Sequence, residues 1–174
     1  MREEPMDVMT IRPMMIRLMT EADVPAVYAI ETESFSQPWA REDLRAEARG
    51  ENGAHYVVAV SEGKVLGYGG FRQVLDEAHI MNIAVAAEHR GQGIGRRLME
   101  GLLSLCPPLG ILYITLEVRR SNAAALRLYE AVGFSAAGIR PGYYEKPRED
   151  AVIMWKQLDE REKKREEATN EDRV

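Results

Sequence analysis

The sequence predicts one α/β domain with a mixed, mostly antiparallel central sheet flanked by helices. Three observations carry that expectation. First, 174 residues suffice for a single folding unit with a full core, and 45% hydrophobic beside 29% charged residues is the balance of a globular chain. Second, runs of strand-forming residues at 55–60 and 64–75 flank the turn Ser61-Glu62-Gly63, which predicts an antiparallel hairpin. Third, strand and helix patterns alternate beyond residue 79, so later strands are joined by helical crossovers.

The elements follow in order. Pro5 and Pro13 interrupt the Met-rich start, so residues 1–15 are expected to be a flexible extension and the domain to span 16–157. A short strand is expected at 16–18. Thr20-Glu21-Ala22-Asp23 then reads as a helix N-terminus, and Val24, Val27 and Ile30 form its apolar stripe as far as Ser34. Residues 35–39 form a loop bearing Phe35 and Trp39, residues 40–49 a second helix, and Gly50 its end. After the hairpin, Asp76-Glu77 turns the chain into a strand over 79–85. A helix over 93–105 is halted by Pro107-Pro108, a strand occupies 111–118, and a helix over 121–132 ends at Gly133. Strands at 134–139 and 151–155 complete the domain. Residues 158–174 carry both signs of charge with almost no apolar face, which predicts a frayed helix or a disordered tail.

A formal net charge of -5 argues against broad binding to nucleic acid or anionic membranes. No run approaches the ~18 apolar residues of a membrane span, and no signal-peptide block opens the chain, so a cytoplasmic location is expected. Cys106 has no cysteine to pair with and sits among Leu102, Leu103 and Leu105, as a buried small hydrophobe would. His55, His79 and His89 lack metal-ligand spacing, so no metal site is expected.

The chemistry concentrates where Ile83-Ala84-Val85 runs into Arg90-Gly91-Gln92-Gly93-Ile94-Gly95-Arg96. This reads as a strand entering a glycine-rich turn that opens a helix. Such a turn lets the backbone approach an anion, while the helix start offers unpaired N–H groups and a positive dipole end. The plain alternative is an ordinary tight β-to-α connection. No Lys-Ser or Lys-Thr follows, as a Walker loop requires, and the G-x-G-x-G spacing is not the Rossmann G-x-G-x-x-G. Alternation along 111–118 puts Glu117 on one face with Ile111, Tyr113 and Thr115. There it serves either as a base in a partly apolar cleft or as the partner of Arg119 or another cation. Tyr129 lies on a stripe with Ala125, Leu128 and Val132, which suits core packing, and Asn122 suits a helix cap.

Taken together, these residues resemble the GNAT N-acetyltransferase superfamily. Arg90-Gly91-Gln92-Gly93-Ile94-Gly95 matches its acetyl-CoA motif R/Q-x-x-G-x-G/A. Leu116-Glu117-Val118-Arg119, Ser121-Asn122, Leu128-Tyr129-Glu130, Gly133-Phe134, Tyr143-Tyr144 and Glu149-Asp150-Ala151 resemble its RimI-like ribosomal-protein-alanine N-acetyltransferases. The likeness spans about 16–156. It implies acetyl-CoA as donor, with contacts from Ile83, Ala84, Val85, Arg90, Gly91, Gln92, Gly93, Ile94, Gly95, Arg96 and Asn122. It also implies Glu117 as proton acceptor, Tyr129 as proton donor, and a peptide entrance flanked by loop residues Phe35, Trp39, Tyr143 and Tyr144. The aromatics serve equally as caps on the core edge.

The implied acceptor is the N-terminal amine of a protein, possibly a small-subunit ribosomal protein, and the implied state a monomer or weak homodimer. Neutralising an α-amine of pKa ~7.8 at pH 7 costs about 1 kcal/mol, against about 4.6 kcal/mol for a lysine of pKa ~10.4, which favours an N-terminus. A lysine or small-molecule amine is the alternative acceptor, and a non-catalytic acyl-CoA-binding regulator the alternative of another class.

Overall fold

The computed structural model describes residues 13–158, and the expectations for 1–12 and 159–174 lie outside the described residues. The chain enters on β1 (Met14–Leu18), two residues ahead of the expected start. A turn closed by a Thr20/Asp23 capping box leads into α1 (Val24–Ser34), then α2 (Arg41–Ala48). The strands β2 (Ala54–Ser61), β3 (Lys64–Val74) and β4 (Glu77–Val85) follow. Next come α3 (Ile94–Leu105), β5 (Tyr113–Arg119), α4 (Ala123–Ala131), and a closing hairpin of β6 (Ser135–Glu145) and β7 (Arg148–Gln157).

The seven strands form one sheet in the order β1-β2-β3-β4-β5-β7-β6, and only β4 and β5 run parallel. That pair flanks the α3 crossover, as a parallel connection demands. Its ladder is short, running only from Glu77 opposite Tyr113 to His79 opposite Thr115. Beyond His79 the two strands share no ladder. A bulge falls at the same place: Gly70 of β3 faces Asn82, but Phe71 faces Ile80, so Met81 has no partner on β3. An extra residue bends and twists its strand, here where β4 leaves β5.

Each sheet face has its own core. On one, Leu98, Met99 and Leu102 of α3 pack on Phe71, Ile114, Leu116 and Met154, with Cys106 buried among them. On the other, Val24, Val27 and Ile30 of α1 and Leu44 of α2 cover Tyr56, Val58 and Tyr68. The stripe expected on the first helix is thus buried against the sheet.

Two expectations are corrected at the C-terminal end. Tyr143 and Tyr144 do not lie on a loop: β6 runs through them to Glu145. Pro141 and Gly142 fall instead inside a bulge, since Arg140 faces Ala151 while Tyr144 faces Glu149, and the Gly142 N–H donates to the Asp150 carboxylate at 2.8 Å. Leu158, expected to begin the tail, is buried, and its N–H donates to the Leu112 carbonyl at 2.8 Å. No helix among the described residues is long and apolar enough to cross a membrane.

Candidate active site

Where β4 and β5 separate, a cavity of about 710 Å³ opens, and nearly every expected site residue stands in its wall. One side is made of backbone. β4 pairs through Ile83, Ala84 and Val85 with β3 on one edge, and has no strand on the other once past His79. Half the polar groups of residues 80–85 therefore face the gap. The chain then turns through Gly91 and Gly93, whose φ values of 77° and 79° belong to the left-handed region. Side chains are disfavoured there, and a Cβ on either glycine would stand in open space, so backbone alone borders the cavity. Gly93 is the N-cap of α3, so the helix directs its first N–H groups at this space. Gly95 plays a different part from its neighbours, lying inside α3 against Leu128 of α4.

Arg90 braces the turn. Its Nε donates to the Val85 carbonyl at 3.0 Å and its guanidinium to Ser34 at 3.2 Å. Ile94 forms part of the wall, whereas Gln92 and Arg96 lie outside it, and Arg96 pairs with Glu100 at 2.9 Å one turn along. Asn122 accepts the Ala125 N–H at 3.1 Å and so caps α4, and it also borders the cavity. An unpaired strand edge, a backbone-lined turn and a helix N-terminus in series fit a donor whose extended arm is joined to a pyrophosphate.

The other side is made of side chains. Glu117 shares a face of β5 with Tyr113 and Thr115, and its side chain is 9% exposed. Its carboxylate lies 2.7 Å from the His79 Nε2 and 3.7 Å from the Arg140 guanidinium. Of the partners the sequence allows, Arg119 or another cation, it is Arg140 that faces Glu117, and Arg119 is committed elsewhere. It pairs with Glu149 at 3.3 Å, stacks 4.2 Å from the Tyr144 ring centre and donates to the Lys146 and Pro147 carbonyls. Thr115 sits 3.2 Å from the His79 Nδ1, so a ring carrying its proton on Nε2 accepts from Thr115 and donates to Glu117.

Tyr129 is buried against Phe134 and borders the same cavity, and its burial pushes the phenol pKa well above the usual range. Tyr144 also borders it, its phenol pushed up to about 12, chiefly by burial and then by Tyr143. Tyr143 packs edge-on against Tyr144, half-exposed and outside the wall. Phe35 and Trp39 stand in the wall on the α1–α2 connection, which is tied to the β6–β7 turn by a 2.6 Å hydrogen bond from Ser36 to the Lys146 carbonyl.

Four residues at this site carry no functional signal in the sequence: Glu31 and Asn82, which line the cavity, and His79 and Arg140, which stand against Glu117. His79 and Glu117 are brought together by the parallel register of His79 with Thr115. That register follows from how α3 crosses the sheet and leaves no local trace in the chain.

Fold and site together define an acetyl-CoA-dependent N-acetyltransferase, and the chain belongs to the acetyltransferase (GNAT) family, which it matches over residues 24–134. It is 41% identical to the [ribosomal protein bS18]-alanine N-acetyltransferase of Escherichia coli K12 over 134 residues, 76% of this chain and 89% of that one. The crystal structure of the ribosomal-protein-S18-alanine N-acetyltransferase from Escherichia coli superposes with a TM-score of 0.77 at 36% identity, covering 84% of this chain and 95% of that one. The structure of yncA from Salmonella typhimurium with its cofactor acetyl-CoA superposes with a TM-score of 0.74 at 25% identity, over 84% and 95% of the two chains.

Proposed function

We propose that this enzyme acetylates the N-terminal α-amine of a protein, an alanine-starting small-subunit ribosomal protein, by direct attack of the amine on acetyl-CoA. The observation that carries the reading is that Glu117 and Tyr129, from different elements, border one cavity together with the backbone turn at 91–95. The names of the relatives in Escherichia coli, which act on the alanine of ribosomal protein bS18, support the acceptor.

Each residue then has a part. Gly91, Gly93 and the first turn of α3 hold the donor's pyrophosphate, with Arg90, Ile94, Gly95 and Asn122 around it, while Ile83, Ala84 and Val85 offer strand-edge groups to its pantetheine arm. Glu117, oriented by His79, takes the proton that the acceptor nitrogen sheds as it attacks. Tyr129, held protonated by burial, donates to the departing sulfur. The burial that raises the phenol also raises the basicity of a thiolate left in the same cavity, so the transfer is matched. Cys106 is buried in the α3 core, away from this wall, so no acyl-enzyme is invoked.

The test offers acetyl-CoA and a peptide that begins with alanine and carries an internal lysine, and locates the acetyl group by mass spectrometry. The expected product is acetylated on the α-amine. Acetylation confined to the lysine, or no product at saturating donor, contradicts the proposal.

A further inference from the structure

Among the described residues three acidic residues are buried, Asp23, Glu31 and Glu47, and Glu117 is nearly so; all but Glu31 have a cation. Asp23 is held by Arg17 at 2.8 Å, Glu47 by Arg72, and Glu117 by His79 and Arg140. Glu31 is the exception. It lies on the last turn of α1, is 2% exposed, and makes no ion pair among the described residues. Its partners are neutral: the Trp39 backbone N–H donates to Oε1 at 3.1 Å and the Asn82 amide to Oε2 at 3.4 Å. Asn82 is held in turn by the Tyr56 hydroxyl at 2.7 Å. Burial raises the Glu31 pKa, and the two hydrogen bonds oppose that rise, the sign of a carboxylate lacking a positive neighbour.

Glu31 also borders the acetyl-transfer cavity, beside Phe35 and Trp39 and in the same wall system as Glu117. We propose that the Glu31 carboxylate is the docking group for the acceptor's terminal ammonium, an inference that rests on the reading of the acceptor as a protein N-terminus. A carboxylate offers about four lone-pair sites, and two are used here, which leaves room for a compact cation with three N–H donors. The amine reaches this wall mostly charged, and Glu117 is already opposed by its own cation. Glu31 supplies the missing counter-charge at the side where the peptide enters. Its bond to the Trp39 N–H couples that charge to the entrance loop, and its bond to Asn82 couples it to the bulged strand that carries the donor. Glu31 is thereby an acceptor-binding residue distinct from the proton-transfer pair: the docked ammonium first loses one proton to solvent, and the neutral amine then attacks and sheds its second to Glu117.

The experiment is a binding cycle on the full chain with coenzyme A present. The probes are an alanine-starting peptide and the same peptide with propionyl in place of alanine, which removes only the amine. Titration calorimetry on the wild type and on Glu31→Gln gives four dissociation constants. The glutamine keeps an acceptor for the Trp39 N–H and removes the charge. The wild type is expected to prefer the amine by about tenfold or more, and Glu31→Gln to lose most of that preference while its coenzyme A affinity stays unchanged. An equal preference in both proteins overturns the proposal.

Should Glu31→Gln fail to bind coenzyme A, the Trp39 amide resonance of the wild type decides. It is expected to shift differently with the two peptides, and the same shift with both overturns the assignment. Failure of the wild type to acetylate the alanine peptide sinks the functional reading itself. Normal acetylation with no amine-specific effect sinks only the role of Glu31.

Discussion

The two flanks of the cleft are built from different materials. The flank proposed for the donor is a contiguous run of backbone, from Ile83 on β4 through Gly93 at the cap of α3, and its shape depends on dihedral angles more than on side-chain identity. The flank proposed for the acceptor is assembled from Glu31, Glu117, Tyr129 and Tyr144, which border one cavity from α1, β5, α4 and β6, with His79 of β4 against Glu117. The difference teaches that a backbone site tolerates substitution until φ is disturbed, whereas a side-chain site fails when a single functional group is lost.

Glu117→Gln is the sharpest test of the acceptor side. Loss of the proposed general base is expected to lower kcat by about 10²- to 10³-fold, while the KM for acetyl-CoA stays within about twofold. Steady-state kinetics with both substrates varied checks this, and a rise confined to the acetyl-CoA KM would move Glu117 to the donor flank. Tyr129→Phe removes one hydroxyl from a buried ring and is expected to cost about 10- to 10²-fold in kcat without loss of folding. An unchanged kcat leaves Tyr129 as packing against Phe134.

The donor flank responds in the other parameter. Gly93→Ala forces a side chain into a φ of 79°, a strain of about 1–2 kcal/mol per residue, with open space around the new Cβ. The turn relaxes away from that geometry, so the acetyl-CoA KM rises by about three- to tenfold with kcat nearly intact. A fall in kcat at constant KM breaks the division between the flanks.

The smallest effect is a control outside both. The Arg17 hydrogen bonds hold the Asp23 carboxyl below the usual carboxylate range, with the Thr20 N–H helping and burial opposing. A folded pKa below the unfolded one stabilises the fold at neutral pH, and that stability fades as pH falls through the folded value. Arg17→Met therefore costs about 1 kcal/mol at pH 7, less near pH 3, and alters neither KM. Thermal melts across that range check the sign.

This contrast also explains what could be read from the chain. The donor flank was legible because the sequence encodes it locally, in a strand, a glycine-spaced turn and a helix start within about fifteen residues. Glu117 and Tyr129 were legible as residues, through strand alternation and the family likeness, but their surroundings were not. His79 reaches Glu117 through the three-pair β4–β5 ladder, and Arg140 through β7 lying between β5 and β6. Neither neighbour follows from spacing. Tyr143 and Tyr144 misled because Pro141-Gly142 is a turn signal that this sheet absorbs as a bulge. Glu31 had no signal at all, since a charged residue on the last turn of a helix ordinarily faces water.

In the proposed complex the donor's arm lies along the free edge of β4 and its pyrophosphate on the turn before α3. Residue-resolved amide exchange with and without saturating acetyl-CoA tests this placement most directly. Strong new protection is expected at 91–95 and at alternate residues of 80–85, with little change in β1 or α2. Bound acetyl-CoA that leaves those amides exchanging as before, or protects another surface instead, would contradict it.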